Sequence, residues 1–191
     1  MAYNALTARK KVSYTPNYGS YLQGVQKKFF IIGFMAAGKT SLAYDLSQQF
    51  SLPFFDSDAM IEQITGMSVM DIFNTWGEKY FRRMERDVIH QLMAMKSDMI
   101  VSLGGGSVCQ PDILDWLNRI GFTIWLDTDW DIIETRLFGD NSRPLVHQQS
   151  LAQLKNLFDQ RASYYKQAIT RVQDPTEVER LLMEKLSFNS K

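Results

Sequence analysis

Short apolar runs alternate along the chain with segments in which apolar residues recur every three or four positions. The runs are typical of buried strands, and the recurring spacing is typical of helices with one apolar face. The pattern predicts strands at 29–32, 52–56, 99–103, 122–126 and 169–172. It predicts helices at 41–50, 59–65, 68–73, 78–95, 111–119, 129–138, 151–165 and 176–186. Strands that alternate with helices in this way indicate an α/β fold with a parallel sheet.

A glycine-rich loop joins the first predicted strand to the first predicted helix. Residues 33–40 read G-F-M-A-A-G-K-T, which matches the pattern G-x-x-x-x-G-K-[ST]. In such a loop the backbone N–H groups and the helix N-terminus hold polyphosphate, the Lys39 ammonium reaches the β- and γ-phosphates, and the Thr40 hydroxyl binds Mg²⁺. A turn that merely packs a helix on a strand would not explain Lys39 and Thr40 at these positions. The loop therefore predicts a nucleotide-phosphate site.

Composition and charge narrow the class of protein. The 191 residues fit one domain, and an apolar content of 45% is enough for a full core. A formal net charge of 0 disfavours nucleic-acid binding, and the single cysteine, Cys109, excludes a disulfide within the chain. No apolar run reaches the ~18 residues of a membrane span.

Two segments differ from the rest of the chain. Residues 1–28 carry five basic residues and no acidic one, and no stretch there resembles the apolar core of a secretory signal. We expect 1–28 to be a flexible basic N-terminal arm and 29–191 to be a single domain; an organelle transit peptide is the alternative for the arm. Residues 139–149 are polar and rich in turn formers, and we expect a mobile lid there.

Two carboxylates follow the second predicted strand. Phosphoryl transfer requires charge neutralisation and a group that faces the attacking hydroxyl. Asp56 is placed to hold Mg²⁺, directly or through water, beside Thr40, and Asp58 is placed to face a substrate hydroxyl. Alternatively, Asp58 only caps the helix predicted at 59–65, because aspartate is a good N-cap. Ligands of parallel sheets bind at the carboxyl ends of the strands, so these groups should converge on one cleft.

Glycines and arginines supply further candidates. Three glycines at 104–106 follow a strand, where they either let a ligand approach the backbone or form a tight turn. Arg82 lies on the fourth predicted helix, where Glu85 can orient it. Arg161 lies on a later helix, and Arg143 lies in the predicted lid, where an arginine can neutralise a transferred phosphoryl group. Each arginine has an ordinary alternative, a charge that faces solvent.

Other chemistry-bearing residues fit structural roles better. The strand predicted at 122–126 is followed by Asp127 and resembles a Walker-B strand. The acidic pair after the second strand, Asp56 and Asp58, can bind the metal instead, and we do not expect Asp127 to bind a metal. Two histidines, His90 and His147, make no zinc site without cysteine partners. Cys109 has no histidine placed beside it, and we expect a structural role. The chain has no Asn-Lys-x-Asp motif for guanine, which disfavours a GTPase.

Together these residues resemble the shikimate kinase family, over about residues 29–186. The ordered motif elements are G-x-x-x-x-G-K-T at 33–40, Asp56-Ser57-Asp58, Ile61-Glu62 with Thr65-Gly66, Gly77-Glu78-x-x-Phe81-Arg82-x-x-Glu85, Gly104-Gly105-Gly106, Arg143-Pro144-Leu145 and Arg161-x-x-x-Tyr165. Each element is modest alone, and the ordered set is highly specific.

The resemblance implies a three-layer P-loop kinase fold of the nucleoside-monophosphate-kinase type, with a five-stranded parallel sheet, a shikimate-binding region and a lid. It implies ATP-dependent phosphorylation of the 3-hydroxyl of shikimate, with Mg²⁺, in aromatic amino-acid biosynthesis. The implied ATP-binding residues are Gly33, Ala36, Ala37, Gly38, Lys39, Thr40, Ser41, Arg136 and Arg143. The implied substrate-binding residues are Asp58, Arg82, Gly104, Gly105, Gly106, Arg161, Phe73 and Phe81. Lys39, Asp58 and Arg143 would be catalytic, and Thr40 and, through water, Asp56 would hold Mg²⁺.

Ala36 departs from the family pattern, in which glycine is usual, and its methyl group constrains φ close to the phosphates. Two other interpretations are a gluconate-type sugar-acid kinase and a non-catalytic binding or regulatory module. A degenerate module would be expected to lose Lys39, Asp58 or Arg143, and all three are present. We expect a cytoplasmic monomer whose partners are the small molecules shikimate and ATP, with no nucleic-acid or membrane partner.

Overall fold

The computed structural model describes residues 26–138 and 150–187. Five strands form one sheet: β1 (Lys28–Ile32), β2 (Phe54–Asp56), β3 (Met99–Ser102), β4 (Phe122–Leu126) and β5 (Thr170–Val172). Their order across the sheet is β2-β3-β1-β4-β5, and every neighbouring pair is parallel. The predicted α/β fold with a five-stranded parallel sheet is therefore confirmed.

Helices cover both faces of the sheet. They are α1 (Lys39–Phe50), α2 (Ser57–Thr65), α3 (Val69–Ala94), α4 (Ile113–Ile120), α5 (Trp130–Phe138), α6 (Leu151–Tyr165) and α7 (Pro175–Ser187), with a short 3-10 helix at Ser107–Cys109. Within 26–138 and 150–187, no helix combines the length and the apolar character that crossing a membrane requires.

The central strand β1 divides the core into two layers because successive side chains of a strand point to opposite faces. Phe30 and Ile32 pack into the larger cluster, which includes buried residues of α3, α4 and α6. Phe29 and Ile31 pack into the smaller cluster, which includes buried residues of α1 and α7. The result is the three-layer arrangement expected of a buried parallel sheet.

The long helix α3 is interrupted at Gly77. Its φ of 75° and ψ of 171° are not helical, so α3 consists of two helical segments that meet there. The first segment is capped by Ser68, whose hydroxyl accepts a hydrogen bond of 3.1 Å from the N–H of Asp71. The sequence predicted these two segments separately, as 68–73 and 78–95, and placed the break near its observed position.

Strand β1 begins at Lys28, which corrects the predicted boundary of the N-terminal arm. Lys28 is buried, and its ammonium donates to the carbonyl of Leu92 at 3.1 Å and to the carbonyl of Met93, in the last turn of α3. These carbonyls lack partners within the helix, and a cation there is favoured. Burial lowers the pKa of Lys28. Residues 1–25 of the predicted arm lie outside the described residues.

Candidate active site

The loop after β1, residues 33–40, has the backbone shape of a phosphate-binding loop, and we call it the phosphate loop. Gly33, Ala36 and Gly38 all have positive φ, of 145°, 60° and 97°. Helix α1 begins directly after Gly38, so its first N–H groups face the loop. Lys39 is buried and donates from Nζ to the carbonyl of Phe34 at 2.8 Å. The loop therefore holds the lysine that a phosphate site requires in contact with its own backbone.

The carboxyl ends of β2 and β3 meet at Thr40, in the first turn of α1. Its hydroxyl donates to Asp56 Oδ2, at the end of β2, at 2.8 Å and lies 3.2 Å from Ser102 Oγ, at the end of β3. These oxygens are hard ligands of the kind that Mg²⁺ prefers. In the part of the chain that the structure describes, no group of three His, Cys, Asp or Glu side chains could hold a metal. The arrangement suits an ion that keeps several waters and shares phosphate ligands.

Asp56, rather than Asp58, caps helix α2, which corrects the alternative role considered for Asp58. Asp56 Oδ1 accepts hydrogen bonds from the N–H groups of Asp58 at 3.0 Å and Ala59 at 3.1 Å. The helix starts at Ser57, so Asp58 lies in its first turn. Asp56 thus uses one oxygen as a cap and the other to contact Thr40. The Asp58 carboxylate is turned toward the glycines that follow β3.

The three glycines at 104–106 are places of close contact. A Cβ atom at Gly104 would lie 2.6 Å from Asp58 Oδ1. A Cβ at Gly105 would lie 3.1 Å from the backbone nitrogen of Met35 in the phosphate loop, and a Cβ at Gly106 would lie 2.5 Å from Nη2 of Arg82. The segment therefore joins the phosphate loop to the arginine side of the site, with no space for side chains at these three positions.

Arg82 is fixed by two glutamates. Its Nη1 donates to Glu85 Oε2 at 2.8 Å, and its Nε and Nη2 donate to Glu78 Oε1 at 3.1 and 2.9 Å. Glu85 is fully buried and also accepts from Ser107 Oγ at 2.5 Å and from Gln110 Nε2 at 2.8 Å. Burial alone would lower the pKa of Arg82, but Glu85 and Glu78 together raise it. Arg82 is therefore charged and held in place from within α3, and Glu85 orients it as the spacing indicated.

Arg82 and Arg161 line one cleft of about 380 Å³. The other lining residues are Glu78, Gly106, Cys109, Gln110, Pro111, Leu157, Gln160 and Tyr164. Sequence reasoning did not select Gln110, Gln160 or Tyr164 for the site. The spacing of Leu157, Gln160, Arg161 and Tyr164 by three or four residues, which places them on one face of α6, was the available signal.

Tyr165 links the cleft to the glycine segment. Its hydroxyl donates to the carbonyl of Gly105, and the side chain is almost fully buried. Burial raises the pKa of Tyr165 despite the opposing charge of Arg161. Burial also raises the pKa of Cys109, against the effect of Arg161 and Arg82, which favours the neutral thiol beside the two arginines.

The two predicted aromatic contacts pack on each other. The ring centroids of Phe73 and Phe81 lie 4.9 Å apart, and the Arg82 guanidinium lies 5.5 Å from the Phe81 centroid. Phe81 is buried in the larger core cluster, whereas Phe73 is half-buried at its edge. The pair supports the helix segment that carries Arg82, and neither ring lines the cleft.

Arg136, in helix α5, contacts the phosphate loop and does not line the cleft that contains Arg82 and Arg161. Its Nη1 donates to the carbonyl of Ala36 at 3.0 Å, and a Cβ at Gly38 would lie 3.3 Å from the same nitrogen. Ala37 is buried, and its carbonyl accepts from Thr128 Oγ1 at 3.0 Å. Ser41 is exposed in the first turn of α1.

Asp127 is engaged away from the loop. Its Oδ2 accepts from Nε of Arg171 at 2.7 Å and also pairs with Nη2 of that arginine. This ion pair supplies a structural role for the carboxylate. Arg143 and the predicted lid at 139–149 lie outside the described residues.

A family model, a curated relative and two solved structures that are similar to this chain share one description. The shikimate kinase family model matches residues 35–187. The shikimate kinase of Synechococcus sp. (strain JA-3-3Ab) is 38% identical over 159 residues, which are 82% of each chain. The crystal structure of shikimate kinase from Aquifex aeolicus vf5 aligns with a TM-score of 0.71 and 30% identity, over 85% of this chain and 98% of that one. Shikimate kinase from Acinetobacter baumannii, solved in complex with shikimate, aligns with a TM-score of 0.76 and 27% identity, over 87% of this chain and 96% of that one.

Proposed function

The chain belongs to the shikimate kinase family, and we propose that it transfers the γ-phosphoryl group of ATP to the 3-hydroxyl of shikimate. The products are ADP and shikimate 3-phosphate, an intermediate of aromatic amino-acid biosynthesis. One observation carries the proposal. The segment at 104–106 packs on the phosphate loop through Gly105 and on Arg82 through Gly106, so that a phosphate site and a carboxylate site share one wall.

The cleft suits a small acid with several hydroxyl groups. Arg82 and Arg161 line the same cavity, and planar guanidinium groups bind a carboxylate through paired hydrogen bonds. The Asp58 carboxylate, which lies close to Gly104, then contacts the substrate hydroxyls and accepts the proton of the attacking 3-hydroxyl. Phe73 and Phe81 support this region from behind Arg82.

Residues of the phosphate loop position ATP. The N–H groups of residues 33–41 hold the phosphates, and Lys39 exchanges the carbonyl of Phe34 for the β- and γ-phosphates. Arg136, which contacts the carbonyl of Ala36, lies beside the nucleotide. Thr40 and, through water, Asp56 would hold Mg²⁺, which neutralises phosphate charge during the transfer.

The proposal includes a lid at 139–149 that brings Arg143 to the phosphates, and a basic arm before the domain; the lid and residues 1–25 of the arm lie outside the described residues. It also includes action as a cytoplasmic monomer.

Coupled ADP release is the test of the function. The purified protein is assayed with ATP and Mg²⁺ and either shikimate or gluconate as the acceptor. We expect turnover with shikimate and none above background with gluconate. Turnover with gluconate alone would establish the sugar-acid kinase instead, and ATP binding without turnover on either acceptor would favour the non-catalytic module.

A further inference from the structure

Arg82 does not present both of its hydrogen-bonding edges to the cleft. Glu78 Oε1 accepts from Nε at 3.1 Å and from Nη2 at 2.9 Å. These two nitrogens form one of the edges through which a guanidinium binds a carboxylate in a fork. Glu78 itself lines the cleft. A carboxylate of the protein therefore occupies a position that suits the carboxylate of a substrate.

The two glutamates on Arg82 differ in their freedom to move. The side chain of Glu85 is 0% exposed and is also held by Ser107 and Gln110, so removing it from Arg82 would leave a buried charge. The side chain of Glu78 is 63% exposed. The Arg82 side chain is only 20% exposed, but it keeps its pair with Glu85 when Glu78 moves into water, so an i,i+4 pair with an exposed glutamate of this kind is weak. Glu78 can leave Arg82 at small cost, and Glu85 cannot.

The charges of this region favour that departure when an anion binds. Arg82 and Arg161 contribute two positive charges, and Glu78 and Glu85 contribute two negative charges. With Glu78 in place these charges cancel, and an incoming carboxylate would face a like charge. When Glu78 turns into solvent, the region gains one net positive charge and one open edge of Arg82.

We propose that Glu78 is a displaceable placeholder: its carboxylate occupies the Nε–Nη2 edge of Arg82 until the carboxylate of the substrate replaces it. This inference rests on the proposed function, since it requires a carboxylate substrate in this cleft. The placeholder sets a threshold for binding, because an anion must compete with Glu78 for Arg82. Glu78 thus lowers the affinity of every anion for this edge of Arg82, so that anions that bind weakly, such as sulfate, seldom occupy it.

The test is Glu78→Gln, which keeps the shape of the side chain and removes its charge. Titration calorimetry without nucleotide measures the binding of shikimate, of its uncharged methyl ester and of sulfate. We expect shikimate and sulfate to bind about two- to fivefold more tightly than to the wild type, the range that corresponds to a weak exposed pair. The methyl ester, which has no charge to compete with Glu78, should bind with unchanged affinity.

Asp87→Asn is the matched control. Asp87 is an exposed acid of the same helix, nine residues beyond Glu78 and ~180° around the axis at about 100° per residue, outside the cleft. Asp87→Asn removes one negative charge, as Glu78→Gln does, and the affinities for shikimate and sulfate should not change. Equal tightening by both variants would assign the effect to net charge and overturn the placeholder.

Two further outcomes also overturn it. If Glu78→Gln binds shikimate more weakly, or with unchanged affinity, Glu78 remains on Arg82 in the complex as a positioning residue. A wild-type protein that does not bind or phosphorylate shikimate contradicts the proposed function alone, because the sulfate titration still decides whether Glu78 competes for Arg82. Thermal unfolding confirms that each variant is folded.

Discussion

Ala36 holds a backbone conformation that its side chain disfavours. Its φ of 60° is left-handed, and that region costs a residue with a Cβ ~1–2 kcal/mol. Glycine would remove this strain but would add ~0.4–1 kcal/mol of chain entropy to the unfolded state. We therefore predict that Ala36→Gly raises the free energy of unfolding by about 0.5–1 kcal/mol, measured by urea denaturation.

Ser51 provides the control for Ala36. It has a similar φ of 52° at the end of α1, remote in sequence from the phosphate loop. Ser51→Gly should stabilise the protein by a similar amount. If Ala36→Gly destabilises the protein while Ser51→Gly stabilises it, contacts of the Ala36 methyl group outweigh the strain, and the departure from glycine is a stabilising one.

The planar shape of the Arg82 side chain, and not only its charge, should determine how tightly the substrate binds. Arg82→Lys keeps a cation beside the buried Glu85, so stability should be largely retained, but it loses the planar fork. Losing one charged hydrogen bond of ~1.5–3 kcal/mol should raise KM for shikimate roughly ten- to a hundredfold. Steady-state kinetics with saturating ATP would measure this.

The neighbouring Arg83 is the matched control. It is exposed and stacks on Tyr80 at 5.1 Å, outside the cleft. Arg83→Lys should leave KM for shikimate unchanged. An unchanged KM in Arg82→Lys as well would remove Arg82 from carboxylate binding.

Local signals made the elements readable from the sequence. The phosphate loop, the break at Gly77 and the cap at Ser68 are each specified by a few adjacent residues, and the structure has all three. Lys28 was misjudged because a basic residue in a basic stretch looks solvent-exposed. Its actual partners are carbonyls of α3, 64 and 65 residues away, and they are known only once the helix is placed.

The contact between the glycine segment and α3 leads to a prediction about these elements. A Cβ at Gly106 would lie 2.5–2.8 Å from the Arg82 guanidinium. The guanidinium is the end of a long side chain and can shift, but a shift strains its pair with the buried Glu85, so we expect Gly106→Ala to lower the free energy of unfolding by about 1–3 kcal/mol. The shift removes Arg82 from its position in the cleft, and a misplacement of ~1 Å can cost about a hundredfold in rate. We predict at least a tenfold loss in kcat/KM for shikimate, measured with the ADP-release assay.

Gly66 provides the opposite case. It has a φ of 68° at the end of α2, and a Cβ there would meet no atom within 4 Å. Gly66→Ala should lower the free energy of unfolding by ~1 kcal/mol through backbone strain and leave kcat/KM unchanged. If Gly106→Ala matched this behaviour, with lower stability and full activity, the packing of Gly106 on Arg82 would have no functional role.

At the scale of the whole molecule, the order of strands and helices along the chain predicted which groups lie together at the site, but it did not predict the hydrogen bonds and ion pairs between them. The rule that ligands bind at the carboxyl ends of parallel strands brought the phosphate loop, Asp56 and the glycine segment to one edge. The ion pair of Asp127 with Arg171 spans 44 residues, and the bond from Tyr165 to Gly105 spans 60. Such pairings depend on the strand order and on the placement of α6, which periodicity does not specify.

Because Tyr165 is buried, the free energy of unfolding of the whole molecule depends on pH in the alkaline range. Burial raises its pKa above the ordinary value of 10.0, so the folded protein keeps the phenol proton at pH values where the unfolded chain loses it. The stability that this provides is complete below about pH 10 and is lost as pH rises toward the raised pKa. The pKa of Cys109 is also raised, so Cys109 likewise makes the protein less stable as pH rises above about 9. The pKa of Lys28 is lowered, so Lys28 has the opposite effect and makes the protein more stable as pH rises toward about 10.5.

We predict that Tyr165→Phe flattens the fall in stability above about pH 10. One proton difference corresponds to ~1.4 kcal/mol per pH unit, so urea denaturation from about pH 9 to pH 11 resolves the change in slope. At neutral pH the variant should lose ~1–3 kcal/mol, because the carbonyl of Gly105 loses its buried donor. Tyr164→Phe, on the exposed neighbour, should keep the wild-type slope. Because Lys28 and Cys109 are present in all three proteins, a Tyr165→Phe slope equal to that of wild type would show that Tyr165 does not hold its proton in the way that its burial implies.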